Sequence, residues 1–258
     1  MQPNLLMSII LPILSGCSSV PTSTKITLNE GAAAVEKNPY NTVEAIPLPK
    51  GFSRIALDVG SFGEWLRNFP LKESRSVYLF NGMLKRNQLA QFAVLNLSTG
   101  NKDLQQCADA VMRLRAEYLY EQKKYNLISF SDNNGTNYRL PESVNRILFD
   151  KYLEKVFSWC GSLSLEKQLK PVDIASMLPG DVFIKGGSPG HVAMVMDVAI
   201  NNNGQKIYLL ANGYMPAQDV HIVVNPANKD LSPWFATDAD SRIDLPEWSF
   251  TVRQLRRW

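Results

Sequence analysis

Leu178-Pro-Gly-Asp-Val-Phe-Ile184 and Gly190-His-Val-Ala-Met-Val-Met-Asp197, joined by a glycine-rich loop, decide the architecture of this chain. A Pro-Gly-Asp turn enters an apolar strand, Gly186-Gly187-Ser188-Pro189 loops back, and His191 opens a second strand. That strand runs to Ile200, turns through Asn201-Asn-Asn-Gly204 and returns from Gln205 to Gly213. Pairing Ile200 with Gln205 sets Ala193 opposite Asn212 and His191 opposite Tyr214. Side chains alternate along a strand, so Asn212 is a diagonal neighbour of His191, about 7–8 Å away between backbones and within side-chain reach. Asp197 falls on the same face as His191, roughly 20 Å further along at about 3.3 Å per residue. A one-residue slip would carry Asn212 to the other face.

Upstream of this strand-rich half the pattern changes. Asp103 to Gln122 reads as the longest helix, with Leu104, Cys107, Ala108, Val111, Leu114, Tyr118 and Leu119 forming one apolar stripe. Asp103 and Gln106 fit a capping box at its start. A second helix is expected from Glu142 to Trp159, after a hairpin of Leu127–Phe130 and Tyr138–Leu140 around Ser-Asp-Asn-Asn-Gly. Short strands are expected at Ile55–Val59, Ser76–Phe80 and Gln91–Leu97, and a short helix over Gly63–Phe69, stopped before Pro70. Helices and strands are segregated rather than alternating, which predicts an α+β fold in one domain, residues 42–258.

The first forty residues read differently. Leu5 to Leu14 is an apolar run too short to span a bilayer as a helix, followed by Ser15-Gly16 and then Cys17. Leu14-Ser15-Gly16-Cys17 resembles the lipobox of bacterial lipoproteins. The resemblance implies a signal peptide at residues 1–16, acylation of Cys17 and anchoring at a membrane in the bacterial cell envelope, periplasmic or outer-membrane associated. Residues 17–41 are polar and lack a sustained hydrophobic period, the pattern of a tether.

Composition excludes several classes. The chain has 258 residues with 27 Lys and Arg against 24 Asp and Glu, a net charge of +3 that is too slight and too dispersed for a nucleic-acid footprint. Apolar residues make up 45%, enough at this length for a buried core and too many for a disordered chain. No Cys-x-x-Cys or His-Glu-x-x-His spacing occurs, and the glycine run at 186–190 lacks a following Lys-Ser/Thr, so neither a metal nor a cofactor is expected.

The scarcity of reactive side chains narrows the search: histidine occurs only at 191 and 221, and cysteine beyond Cys17 only at 107 and 160. The Pro-Gly-Asp strand followed by the Gly-His-Val strand is similar to the NlpC-type and CHAP-type cysteine peptidases and amidases that cut bacterial cell-wall peptides. That resemblance implies a papain-like antiparallel sheet packed against helices, with Cys107 as nucleophile and His191 as base. Asn212 is the orienting partner that the strand parity supplies. Gln105 and Gln106 are oxyanion candidates and Tyr214 a pocket candidate. Leu104–Tyr118, Pro189-Gly-His-Val192 and Tyr214–Gln218 also resemble a family of uncharacterised bacterial lipoproteins, over most of residues 46–258.

Other readings of the same residues stand beside this one. Cys107 lies on an apolar stripe, where free cysteines are commonly core residues. An exported chain also permits a Cys107–Cys160 disulfide, which would remove the nucleophile. The expected activity is hydrolysis of an amide bond in a cell-wall peptide. The alternative is a catalytically inactive papain-like lipoprotein that binds peptide or glycan, or acts as a scaffold in the envelope.

Overall fold

Every residue from His191 to Ala199 is buried, so this strand is covered on both faces and stands at the centre of the sheet. The computed structural model describes residues 37–236 and 242–258. In chain order the elements are β1 (Phe52–Arg54), α1 (Phe62–Arg67), β2 (Gln91–Val94), α2 (Cys107–Glu121), β3 (Ser129–Ser131), β4 (Asn137–Arg139) and α3 (Arg146–Trp159). They continue with α4 (Ser162–Gln168), β5 (Lys170–Pro171), β6 (Val182–Lys185), β7 (His191–Asn201), β8 (Lys206–Asn212) and β9 (His221–Val223). The last four are β10 (Phe235–Ala236), β11 (Arg242–Asp244), β12 (Ser249–Thr251) and β13 (Leu255–Arg257). The main sheet runs β2-β9-β8-β7-β6-β13-β5, with β1 on the far end of β7 and β10 on β8, and its pairings are antiparallel. The fold is mixed α+β, as the segregated pattern predicted.

Alternation along β7 sorts the core into two. Val192, Met194, Met196 and Ala199 pack with α2, α3 and α4, while Ala193, Val195 and Val198 pack with Ile243 and Phe250 of the β11–β12 hairpin. The parity changes within the strand because of a bulge. Ile200 pairs with Lys206, not Gln205, and this register holds to Asp197 opposite Leu209; it then shifts, so that Val195 pairs with Leu210 and Met194 with Ala211. The extra residue on β7 restores the expected register at the His191 end. It also turns Asp197 to the helix side, opposite to the expected face. There Asp197 meets Arg54 Nε at 2.7 Å and Arg67 Nε at 2.8 Å.

Several expected boundaries are corrected. Helix α2 begins at Cys107 rather than Asp103, because the Gln106 backbone is extended and its N–H donates to Asp109 Oδ2 at 3.0 Å. Asp103 instead accepts from the Ala217 N–H at 2.6 Å, tying the 215–217 loop to the helix entry. Helix α3 starts at Arg146, where the Asn145 side chain accepts from the Leu148 N–H, and not at Glu142. The first strand is Phe52–Arg54; the segment expected as strand at 55–59 turns at Gly60 (φ +73°) toward α1. Ser76–Phe80 makes only isolated bridges, Tyr78 to Leu84 and Leu79 to Gln218.

Residues 37–41, expected in the tether, belong to the folded unit. Asn38 is 4% exposed and donates to the carbonyls of Tyr40 and Lys72, and Tyr40 stacks on Phe92. The expected signal peptide, Cys17 and the tether as far as residue 36 lie outside the described residues. Among the described residues no helix is long and apolar enough to cross a membrane.

Candidate functional site

A cavity of about 440 Å³ opens where the N-terminus of α2 meets the ends of β7 and β8. Cys107, Asp109, Cys160, His191, Tyr214 and Trp248 are among its lining residues. Two glycines permit the approach. A Cβ on Gly213 would stand 3.2 Å from both Gln106 O and Ala110 Cβ, so α2 rests directly on the end of β8. A Cβ on Gly190 would collide with the Gly187 carbonyl and with Ser162 Oγ, which closes the 186–190 loop against α4.

Cys107 is the first residue of a 15-residue helix, where the peptide dipoles favour an anion. The backbone N–H groups of Ala108, Val192 and Cys107 itself act on the sulfur in the same direction. Burial opposes them and dominates: with the Asp109 carboxyl adding to it, the thiol is pushed up to about 11. Asp109 is itself raised well above the ordinary carboxylate range by burial, and its Oδ1 has no partner. Burial also drives the His191 imidazole down to about 3. The resting pair is therefore a neutral thiol and a neutral ring.

His191 is 2% exposed and packed among Tyr214, Trp248 and Phe250, with ring centroids 4.9, 5.3 and 5.8 Å away. Its Nε2 stands 2.8 Å from Asn212 Nδ2, the diagonal contact that the hairpin parity predicted. Asn212 Oδ1 is buried without a partner. Tyr214 donates its hydroxyl to the Glu247 carbonyl at 3.1 Å, so its ring, not its O–H, walls the cavity.

The two glutamines part company. Gln106 lines the cavity and holds Asp103 through its Nε2 at 3.1 Å. Gln105 faces a neighbouring pocket with Arg113, whose Nη1 lies 3.4 Å from Gln105 Oε1. Cys107 and Cys160 are both free thiols on the same cavity. Burial pushes the Cys160 thiol up to about 12. His221 lies outside the cavity lining, one strand beyond Asn212.

Three residues of the site escaped the sequence reading. Asp109 had a signal, since an acid three residues after Gln106 marks a helix that begins at 107. Cys160 entered only as a disulfide partner for Cys107, and Trp248 had no signal; they arrive through the end of α3 and the β11–β12 hairpin, which only the tertiary fold brings together. Asp181, expected as a turn residue, accepts from the Leu178 N–H and takes both guanidinium arms of Arg257, at 2.6 and 2.8 Å. Among the described residues no cluster of three or more His, Cys, Asp or Glu side chains is placed to hold a metal ion.

Fold and site together define a mixed α+β domain in which a thiol and an imidazole line one cavity and a buried carboxamide contacts the imidazole. The chain belongs to the family described as Domain of unknown function (4846), which matches residues 42–142 and 137–257. No curated protein and no solved structure matches the chain.

Proposed function

We propose that this protein is a papain-like, NlpC-type cysteine hydrolase, held at a bacterial envelope membrane by a lipid on Cys17, that cleaves an amide bond in a cell-wall peptide. The carrying observation is the placing of Cys107 at the first turn of α2 in one cavity with a His191 ring whose Nε2 contacts Asn212. Cys107 Sγ attacks the carbonyl carbon as its proton passes to His191. The tetrahedral oxyanion faces the N–H groups at the start of α2. Collapse breaks the C–N bond, His191 returns the proton to the leaving amine, and water then hydrolyses the thioester. With both groups neutral at rest, the thiolate forms only as the substrate arrives. The cell-wall substrate rests on the family resemblance and on the lipobox alone.

A second reading, an inactive lipoprotein that binds peptide or glycan in this cavity, is favoured by one observation. Burial holds the thiol near 11 and the imidazole near 3, far from a ready ion pair.

Iodoacetamide labelling of the full chain, with peptide mapping across pH, separates the two. The hydrolase is expected to label Cys107 at least about tenfold faster than Cys160 at pH 7, because His191 takes the thiol proton as the reagent is attacked, and His191→Ala is expected to remove that advantage. Labelling of Cys107 no faster than that of Cys160 at pH 7, and indifferent to His191→Ala, would leave the binding module. Anchoring has its own test. The full chain expressed in a bacterium should fractionate with membranes and Cys17→Ser with the soluble proteins; no difference between them removes the lipid anchor.

A further inference from the structure

The second histidine of the chain, His221, stands directly opposite Asn212 across the β8–β9 pairing. Ala193, Leu210 and Val223 mark one face of β7, β8 and β9, and His191, Asn212 and His221 alternate onto that same face. The three side chains form a row across three adjacent strands, and opposed residues lie about 4.5–5.5 Å apart at Cβ. His221 is 1% exposed and Asn212 4% exposed.

Proton bookkeeping along the row gives its polarity. His221 Nδ1 lies 3.0 Å from the Asp219 carbonyl, which only accepts, so Nδ1 carries the hydrogen. In a neutral ring Nε2 is then an acceptor, and it is buried with no partner. Asn212 Oδ1, also an acceptor, is buried with no partner, while its Nδ2 faces His191 Nε2 at 2.8 Å. Two acceptors are thus stranded, the His221 ring nitrogen and the amide's own oxygen, while the amide's donor faces the other histidine. A half-turn of that amide about its last torsion swaps its nearly isosteric ends. Oδ1 then accepts from His191 Nε2–H, and Nδ2 donates to His221 Nε2.

We infer that His221 is a positioning residue: it captures the Asn212 amide nitrogen, turns the amide oxygen to His191 Nε2–H, and so leaves His191 Nδ1 as the unprotonated nitrogen of the ring. The inference deepens the hydrolase reading and rests on it for its catalytic meaning, because the base must present a lone pair to Cys107. The hydrogen-bond row itself does not depend on activity. Burial drives both imidazoles down to about 3, so both are neutral over the working range and their tautomers are well defined.

Two histidines give only four ring nitrogens, which makes the test direct. The full chain labelled with 15N-histidine is observed at pH 7 by long-range proton–nitrogen correlation, with His221→Gln assigning the signals. Expected are a protonated Nε2 on His191 and a protonated Nδ1 on His221. In His221→Leu the amide loses its acceptor and the His191 Nε2–H signal is expected to be lost in favour of Nδ1–H. In His221→Gln, whose side-chain oxygen can accept, the His191 Nε2–H signal is retained. A wild-type His191 protonated at Nδ1 overturns the inference. So does a folded His221→Leu with an unchanged His191 tautomer. Should His221→Leu fail to fold, the wild-type tautomers and His221→Gln still decide. Failure of the hydrolase reading appears separately, in the alkylation profile.

Discussion

One strand carries two buried polar centres that are treated in opposite ways. In the middle of β7, Asp197 is 0% exposed and fully met: Arg54 and Arg67 reach it from β1 and α1, and the Val198 N–H donates to its Oδ1 at 2.9 Å. Each arginine is also fixed at its other arm, Arg54 on the Ile46 carbonyl and Arg67 on the Ile55 carbonyl. At the start of the same strand the pattern reverses. His191, Asn212, Cys107 and Asp109 are buried, and Asp109 Oδ1 and Asn212 Oδ1 have no partner. Buried polar groups that are completely paired hold a fold together, whereas those left with spare hydrogen-bonding capacity beside a cavity are the ones available to a ligand.

The largest effect is expected at the paired centre. Asp197→Ala leaves two guanidinium groups, 18% and 12% exposed at their side chains, without their carboxylate. Stranding charges in this way is expected to lower unfolding stability by about 3–5 kcal/mol in urea titration. At the other centre Asp109→Asn keeps an acceptor for the Gln106 N–H and removes a carboxyl that has no cation. Its stability is expected to stay within about 1 kcal/mol of wild type, or to rise. Equal losses in the two variants would erase the distinction between a structural and a functional polar centre.

The sequence was legible where periodicity and turn chemistry agree. Segregated helices and strands gave the α+β class, and the Asn-Asn-Gly turn gave the hairpin that sets Asn212 diagonal to His191. What it could not show was the bulge between Val195 and Asp197, because an extra residue leaves no mark in an unbroken apolar run such as Val192–Met196. Two errors of register, one at the turn and one at the bulge, cancelled at His191 but not at Asp197, which is why the site was placed and the ion cluster was not. The start of α2 was misread because Asp103 and Gln106 fit a cap as well as Gln106 and Asp109 do. The Ala217 N–H, far away in sequence, and the Gln106 side chain hold Asp103 off the helix.

The smaller and more diagnostic effect belongs to the histidine end, and its sign follows from proton counting. Both imidazoles sit near 3 in the folded protein against an ordinary 6.5, so between those values the unfolded chain holds more protons. Stability therefore rises with pH through this window and is lost as pH falls from about 6.5 toward 3. The slope well inside the window is about 1.4 kcal/mol per pH unit for each histidine. Asp109 works against it, since a carboxyl raised by burial destabilises the fold when ionised and is relieved in acid. Asp109→Asn should accordingly steepen the acid limb, while a folded His191→Phe should remove about half of the histidine slope between pH 6 and 5. Urea midpoints measured at pH 7, 6 and 5 read both changes. A profile flat in both wild type and Asp109→Asn would mean that protons reach these rings in the native state, and that burial does not hold the row of His191, Asn212 and His221 neutral.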